Sequence, residues 1–160
     1  MPDRFLNFLS DPESSDVAYR DPGLKPQRHS AAIGKDMLRQ IKTMLDSIRW
    51  TDADIERCLG EYLTEPRAGV VFPRARRISA QAFGRKLSAF GVRLALPTRM
   101  LTSGVQVFIN SETTIAPSAA RQVFGRLADD RRLPPGMRIS AATRAMLYEW
   151  YCAGYIEACD

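Results

Sequence analysis

Residues 91–115 read GVRLALPTRMLTSGVQVFINSETTI, and this stretch decides the fold class. Its first part, residues 92–96, has the period-two pattern of a strand. Three further strand candidates are residues 99–102, 105–109 and 113–115, with turns at Ser103-Gly104 and Asn110-Ser111-Glu112. The stretch predicts a small antiparallel sheet within an otherwise helical chain, and therefore an α+β protein that is mostly α.

Helical patterns lie on both sides of this stretch. Apolar side chains recur at helical spacing over about residues 34–48 and 52–64, and Thr51 with Asp54 is predicted to cap the second of these helices. The predicted inner stripe of the second helix is Ile55, Cys58, Leu59, Tyr62 and Leu63. Ser79, Ser118 and Ser140 are predicted N-caps of three later helices, and Gly91 and Gly154 are predicted to end two of them. The last helix is apolar around most of its circumference, so we expect it to be buried. Residues 131–136 are predicted to be a proline-containing loop, and residues 155–158 are predicted to form an edge strand.

These elements predict three parts. Residues 1–66 form a helical segment, residues 67–77 a basic linker, and residues 78–160 a winged-helix-like domain with the small antiparallel sheet. The amphipathic helices of the first part must bury their apolar stripe on the other domain or on a second copy of the chain. The alternative is that their methionines and leucines are ordinary core. The candidate dimer-interface residues are Phe5, Leu6, Phe8, Leu9, Met37, Leu38, Ile41, Leu45 and Ile48.

Charge is unevenly distributed along the chain. The net charge of +5 divides into −3 for residues 1–65, +11 for residues 66–144 and −3 for residues 145–160, and 19 of the 23 basic residues are arginine. A basic middle of this kind could face a polyanion, but solvated faces are the more frequent explanation of such charge and are favoured here. The candidate basic-surface residues are Arg74, Arg76, Arg77, Arg85 and Lys86. The alternative function is thus a small winged-helix nucleic-acid-binding protein that uses residues 67–144.

The sequence offers little catalytic chemistry. His29 is the only histidine, whereas a mononuclear iron site of the two-histidine, one-carboxylate type needs two. Cys58, Cys152 and Cys159 have neither the number nor the spacing of a disulfide framework or a zinc site, and Cys58 and Cys152 are predicted to be core residues in helices. We therefore expect no enzyme activity, metal or cofactor in this chain alone. No apolar run is long enough to span a membrane, which predicts a soluble, cytoplasmic protein.

Several motifs resemble the bacterial ribosomal oxygenases, which are iron- and 2-oxoglutarate-dependent hydroxylases of the JmjC/cupin type. The resemblance rests on the loop Tyr19-Arg20-Asp21-Pro22-Gly23-Leu24, the helix end Leu59-Gly60-Glu61-Tyr62-Leu63-Thr64, the hairpin Val107-Phe108-Ile109-Asn110-Ser111-Glu112, and the closing Leu147-Tyr148-Glu149 and Gly154-Tyr155. These motifs match the region after the family's catalytic domain. Gly23 departs from the family's usual Asp, and Ser111 from its Gly, so an altered hairpin turn is expected.

The resemblance implies that residues 5–9 and 34–64 are dimerisation helices and that residues 78–158 are a winged helix. In the family, a catalytic cupin domain with a His-x-Asp motif and a distant histidine precedes this region, and this sequence lacks it. The expected context is a homodimeric ribosomal protein arginine hydroxylase that acts on the ribosome. An excised portion, a split gene and a truncated reading frame remain open as origins of the chain.

Overall fold

The elements follow the predicted order of helices and short strands. The computed structural model describes residues 34–47, 49–72 and 78–159. The helices are α1 (Lys35–Ser47), α2 (Asp52–Thr64), α3 (Ala80–Phe90), α4 (Arg121–Asp130) and α5 (Ala141–Ala153). The strands are β1 (Val92–Leu94), β2 (Met100–Ser103), β3 (Gln106–Ile109), β4 (Glu112–Ile115), β5 (Arg132–Leu133) and β6 (Ile156–Ala158), and a 3₁₀ turn covers Ser118–Ala120. The predicted α+β class, mostly helical, is confirmed.

The chain divides into two compact units inside α2. The first unit ends at Cys58 and contains α1, and the second unit runs from Leu59 to Asp160 and contains all the strands. The predicted boundary, the linker at residues 67–77, stays a prediction, since residues 73–77 lie outside the described residues. The last two turns of α2 hydrogen-bond to the β3–β4 hairpin, a long-range contact that a local pattern does not reveal.

Serine side chains begin two of the helices as predicted. The Ser79 hydroxyl accepts a hydrogen bond from the Ala82 N–H, and the Ser140 hydroxyl accepts one from the Thr143 N–H. The predicted cap at Ser118 is wrong, because this residue opens the 3₁₀ turn and α4 begins without a side-chain cap. The preceding turn satisfies the local backbone instead, through the N–H of residue 120 and the carbonyl of residue 117.

Gly91 and Gly154 end α3 and α5, as predicted, with φ angles of +80° and +81°. A side chain at Gly91 is excluded for a second reason. A Cβ atom there would lie 2.1 Å from the carbonyl oxygen of Leu133, so only glycine lets β5 approach this closely.

The structure contains two antiparallel three-stranded sheets rather than one. One has the order β5–β1–β6 and the other the order β2–β3–β4. Val92 of β1 pairs with Leu133 of β5 and with Ala158 of β6. The sequence assigned residues 131–136 to a loop, because β5 is only two residues long and shows no alternation. This short strand completes the first sheet.

A single apolar cluster fills the second unit. Its fully buried members include Phe83, Ile109, Phe124, Leu127, Leu133, Leu147 and Ile156, drawn from every helix after α2 and from both sheets. The expected burial of α5 holds for one of its faces. Only the face with Thr143, Leu147, Trp150 and Tyr151 is buried, whereas its alanines at 141, 142 and 145 are exposed. Small alanine side chains have little apolar surface to bury, so their hydropathy overstated the burial.

Gly60 is expected to be required for close packing of α2 against the hairpin. A Cβ atom there would lie 2.4 Å from the ring of Phe108, which is fully buried. We expect Gly60→Ala to lower the free energy of unfolding by about 1–3 kcal/mol, because the rigid ring must move. Thermal and urea unfolding followed by circular dichroism measure the change.

Gly125→Ala is the matched control. Gly125 also lies in a helix, α4, but a Cβ atom added there would have no neighbouring atom within 4 Å. Alanine there should raise the free energy of unfolding by up to about 1 kcal/mol through helix propensity alone. Equal effects of the two substitutions would contradict the packing role of Gly60.

Candidate interaction surfaces

The end of α2 is bound to the turn between β3 and β4. The Thr64 hydroxyl, itself buried, accepts a hydrogen bond of 3.1 Å from the Ser111 N–H and donates one of 2.8 Å to the Gly60 carbonyl. The Thr113 hydroxyl donates a bond of 2.6 Å to the Glu61 carboxylate. The helix end and the hairpin therefore form one connected polar contact within the second unit.

This contact explains how the turn accommodates Ser111 in place of glycine. Asn110 and Ser111 have φ angles of +50° and +69°, as the two central residues of a type I′ hairpin turn require. The Ser111 hydroxyl donates to the Glu61 carbonyl, and the Asn110 side-chain oxygen accepts from the Arg99 N–H. These bonds offset the strain of positive φ at non-glycine residues.

Tyr155 joins the hairpin turn to the end of the chain. Its hydroxyl donates a hydrogen bond of 2.6 Å to Glu112, and its ring meets the Phe72 ring edge-on with centroids 5.0 Å apart. Its carbonyl accepts bonds from the Ala95 N–H and the Thr98 hydroxyl. One residue thus contacts strand β4, the β1–β2 connection and the segment after α2.

The environment of Tyr155 raises its pKa to about 12, chiefly through burial and then through the bond to the Glu112 carboxylate. In a pH titration followed by near-ultraviolet absorbance, the difference between wild type and Tyr155→Phe reports Tyr155 alone. We expect this difference to have its midpoint at about pH 12. Glu112→Gln should lower the Tyr155 pKa toward its ordinary value of about 10, because the negative charge is removed.

The pH dependence of stability has a definite sign. Because the folded-state pKa of Tyr155 lies above the unfolded value, the Tyr155–Glu112 bond stabilises the fold fully below about pH 10 and loses its effect as the pH rises to about 12. Circular dichroism on the same samples shows the pH range over which the chain stays folded. A midpoint near pH 10 in folded wild type would contradict the assignment.

Helix α1 presents an apolar face to solvent. Leu38 is 52% exposed and Leu45 is 58% exposed, and these residues lie seven positions apart on one face of the helix. Met37 and Ile41 are partly buried. Ile48 and the candidates Phe5, Leu6, Phe8 and Leu9 lie outside the described residues. The predicted amphipathic helix is therefore present, and its two leucines are exposed among the described residues.

The end of α2 adds two exposed leucines in the second unit. Leu59 is 37% exposed and Leu63 is 51% exposed, four positions apart on the same face of α2. A neighbouring face of α2 carries Gly60 and Thr64, which are buried against the hairpin. The sequence assigned Leu59 and Leu63 to an inner stripe, and the structure places them outside.

The basic candidates are only partly described. Arg85 and Lys86 are both exposed on α3, whereas Arg74, Arg76 and Arg77 lie outside the described residues. The structure brings Arg144 of α5 into the same groove as Arg85. Arg144 was not among the candidates from the sequence, because its proximity to Arg85 depends on the packing of α3 against α5.

The described residues do not fit a metal centre. No group of three or more His, Cys, Asp or Glu side chains in residues 34–47, 49–72 and 78–159 could hold an ion. His29, the only histidine in the sequence, lies outside these ranges. Cys58 is buried as predicted, but Cys152, also predicted to be core, is exposed. The donor set of an iron centre that binds 2-oxoglutarate is not available in this part of the chain.

Crossing a bilayer takes a long and predominantly apolar helix. Among the helices of the described ranges, none combines the necessary length and apolar character.

The second unit combines helices α3, α4 and α5 with two short antiparallel sheets, and the hairpins of β2, β3 and β4 lie between α3 and α4. This arrangement defines a winged-helix protein. The family described as ROXA-like winged helix matches residues 47–157, and the chain belongs to this family. The match begins just before α2 and so covers both α2 and the entire second unit apart from its last residues. The family resemblance indicated by the sequence motifs is confirmed.

Solved structures of an Escherichia coli protein show the same fold. The X-ray structure of E. coli YcfD matches with a TM-score of 0.71 and 19% identity over 98% of this chain and 43% of that chain. YcfD in complex with cobalt and 2-oxoglutarate, described as a ribosomal oxygenase, matches with a TM-score of 0.72 and 20% identity over 98% of this chain and 44% of that chain. The chain thus spans less than half the length of these proteins. No curated protein sequence matches.

Proposed function

We propose that this chain is the dimerisation and winged-helix region of an iron- and 2-oxoglutarate-dependent ribosomal protein arginine hydroxylase, and that it is non-catalytic alone. Membership of the ROXA-like family and the similarity in fold to a ribosomal oxygenase support the context. The proposed partners are a second copy of the chain and, through the whole enzyme, a ribosomal protein. The proposed location is the cytoplasm.

The exposed leucines of α1 are the observation that carries the dimer proposal. Leu38 and Leu45 are each more than half exposed, although α1 has a strongly one-sided distribution of apolar residues. An isolated helix of 13 residues is marginal in water and gains most of its stability from burying its apolar face. A second copy offers the same face, and two-fold symmetry would bring equivalent leucines together.

Two charges on this face should separate the dimer. We expect wild-type chain to have a solution mass of about twice 17.9 kDa, and Leu38→Glu/Leu45→Glu to have the mass of one chain. Burying a leucine contributes about 1.5–3 kcal/mol, and the double substitution removes this on both copies, so dimerisation should weaken by at least about a hundredfold. Sedimentation equilibrium measures the dissociation constant.

Gln40→Glu/Thr43→Glu is the matched control. It adds the same two charges to α1, on the side away from Leu38 and Leu45, where both side chains are exposed. The control should remain dimeric. A monomeric wild type, or equal weakening in both double variants, would contradict the proposed interface.

The histidine count is the basis for proposing no catalysis. A facial iron triad requires two histidines and one carboxylate, and the whole sequence contains one histidine. The second and third ligands would have to be carboxylates or cysteines, and the described residues offer no such cluster. The residues present therefore do not fit the iron and 2-oxoglutarate of the family, and no reaction step is assigned to them.

An activity assay tests this directly. With iron(II), 2-oxoglutarate and ascorbate, the purified chain should form no succinate above the level of a blank without protein. E. coli YcfD, assayed in parallel, controls for the reagents. Succinate formation that depends on this chain, and that disappears in His29→Ala, would overturn the non-catalytic assignment.

A further inference from the structure

Helices α3 and α5 frame a shallow groove in the second unit, and the proposed dimer contact through α1 does not involve it. Its volume is about 500 Å³. Arg85 projects from α3 and Arg144 from α5, and both side chains are exposed. The residues between them are small or neutral, namely Ala80, Gln81, Gly84 and Ser88. The groove therefore combines two guanidinium groups with an uncharged floor.

A glycine in α3 shapes the floor. The Arg144 side chain crosses α3 at Gly84, where an added Cβ atom would lie 3.2 Å from the Arg144 Cδ. Ser88 turns its hydroxyl inward to the Gly84 carbonyl, at 3.0 Å, and so does not compete for a ligand above the helix. The arginine stem lies flat on the helix as a result, and its charged end faces the same groove as Arg85.

The charge of this groove is not neutralised by the described residues. No carboxylate lines it. Among the acidic groups of the second unit, Glu157 pairs with Arg93, Asp130 pairs with Arg126, and Glu112 accepts the Tyr155 hydroxyl. Arg144 donates a long bond of 3.4 Å to the Ile139 carbonyl, which occupies one of its five N–H groups.

From this geometry we infer that the Arg85–Arg144 groove binds the phosphodiester backbone of a nucleic acid. Guanidinium groups match phosphate oxygens in bidentate geometry, and a shallow groove without an apolar pocket suits a backbone better than a peptide side chain. The groove lies within residues 66–144, whose net charge of +11 comes almost entirely from arginine. Such a surface favours a partner with regularly repeated negative charge over a single anion.

Fluorescence anisotropy with labelled RNA and DNA of arbitrary sequence, single-stranded and duplex, tests the inference on the full chain. Wild type should bind at low salt, with an affinity that falls linearly on a log–log salt plot. Arg85→Ala/Arg144→Ala should weaken binding by at least about tenfold. On duplex DNA, the slope of log affinity against log salt concentration should become shallower by roughly 1.8. Each neutralised phosphate contributes about 0.9 to this slope, and the double variant loses two such contacts.

The matched control is Arg121→Ala/Arg126→Ala. It removes the same charge from α4, and neither residue lines the groove. This variant should retain at least about half of the wild-type affinity, with a slope that changes by less than half as much. Circular dichroism confirms that both double variants are folded.

Three results would overturn the inference. They are no binding by wild type at low salt, equal loss of affinity in the two double variants, and tighter Arg85- and Arg144-dependent binding of poly-glutamate than of nucleic acid at equal charge. The last result would assign the groove to acidic peptides. A preference for RNA over DNA, or for single-stranded over duplex nucleic acid, would identify the type of nucleic acid that binds and would agree with the inference.

Discussion

The contact between Gly60 and the buried ring of Phe108 is the constraint on which the second unit depends. It brings the last two turns of α2 onto the face of β3, within reach of the hairpin turn. Thr64 and Glu61 then bond to Ser111 and Thr113, and these bonds hold the left-handed turn residues. The hairpin is fixed in turn to the end of the chain by the bond from Tyr155 to Glu112. A glycine in the middle of a helix, unfavourable for the isolated helix, is therefore offset by the packing that it permits.

The sequence predicted those parts of the fold that depend on neighbouring residues. Ser79, Ser140, Gly91 and Gly154 act within one turn of their own position, and the hairpin turn at Asn110-Ser111 does the same, so all were correctly placed. The features that it missed involve distant partners. Strand β5 exists because β1 pairs with it, and the end of α2 is held against the hairpin by Phe108 and Ser111. Local periodicity carries no signal for either.

The candidate surfaces, too, were predictable only where residues close in sequence determine them. The apolar face of α1 was predictable because Leu38 and Leu45 recur at helical spacing, and the structure leaves them exposed. Arg85 was predicted as an exposed cation, but its partner Arg144 lies on another helix and carries no motif. Leu59 and Leu63 were assigned to an inner stripe because hydropathy marks an apolar face without showing which side of the helix the hairpin covers. Here Gly60 and Thr64, rather than the leucines, face the hairpin.

The two proposed surfaces depend on different forces, so salt should affect the two interactions in opposite ways. Contact between α1 faces would rely on burial of leucine side chains, which salt does not screen. Indeed, each chain has a net charge of +5, so two copies repel each other, and moderate salt should assist their association. The Arg85–Arg144 groove depends on attraction between charges and on release of counterions from the nucleic acid, so salt opposes it. Rising salt therefore favours the one interaction and weakens the other, and the two surfaces share no residue.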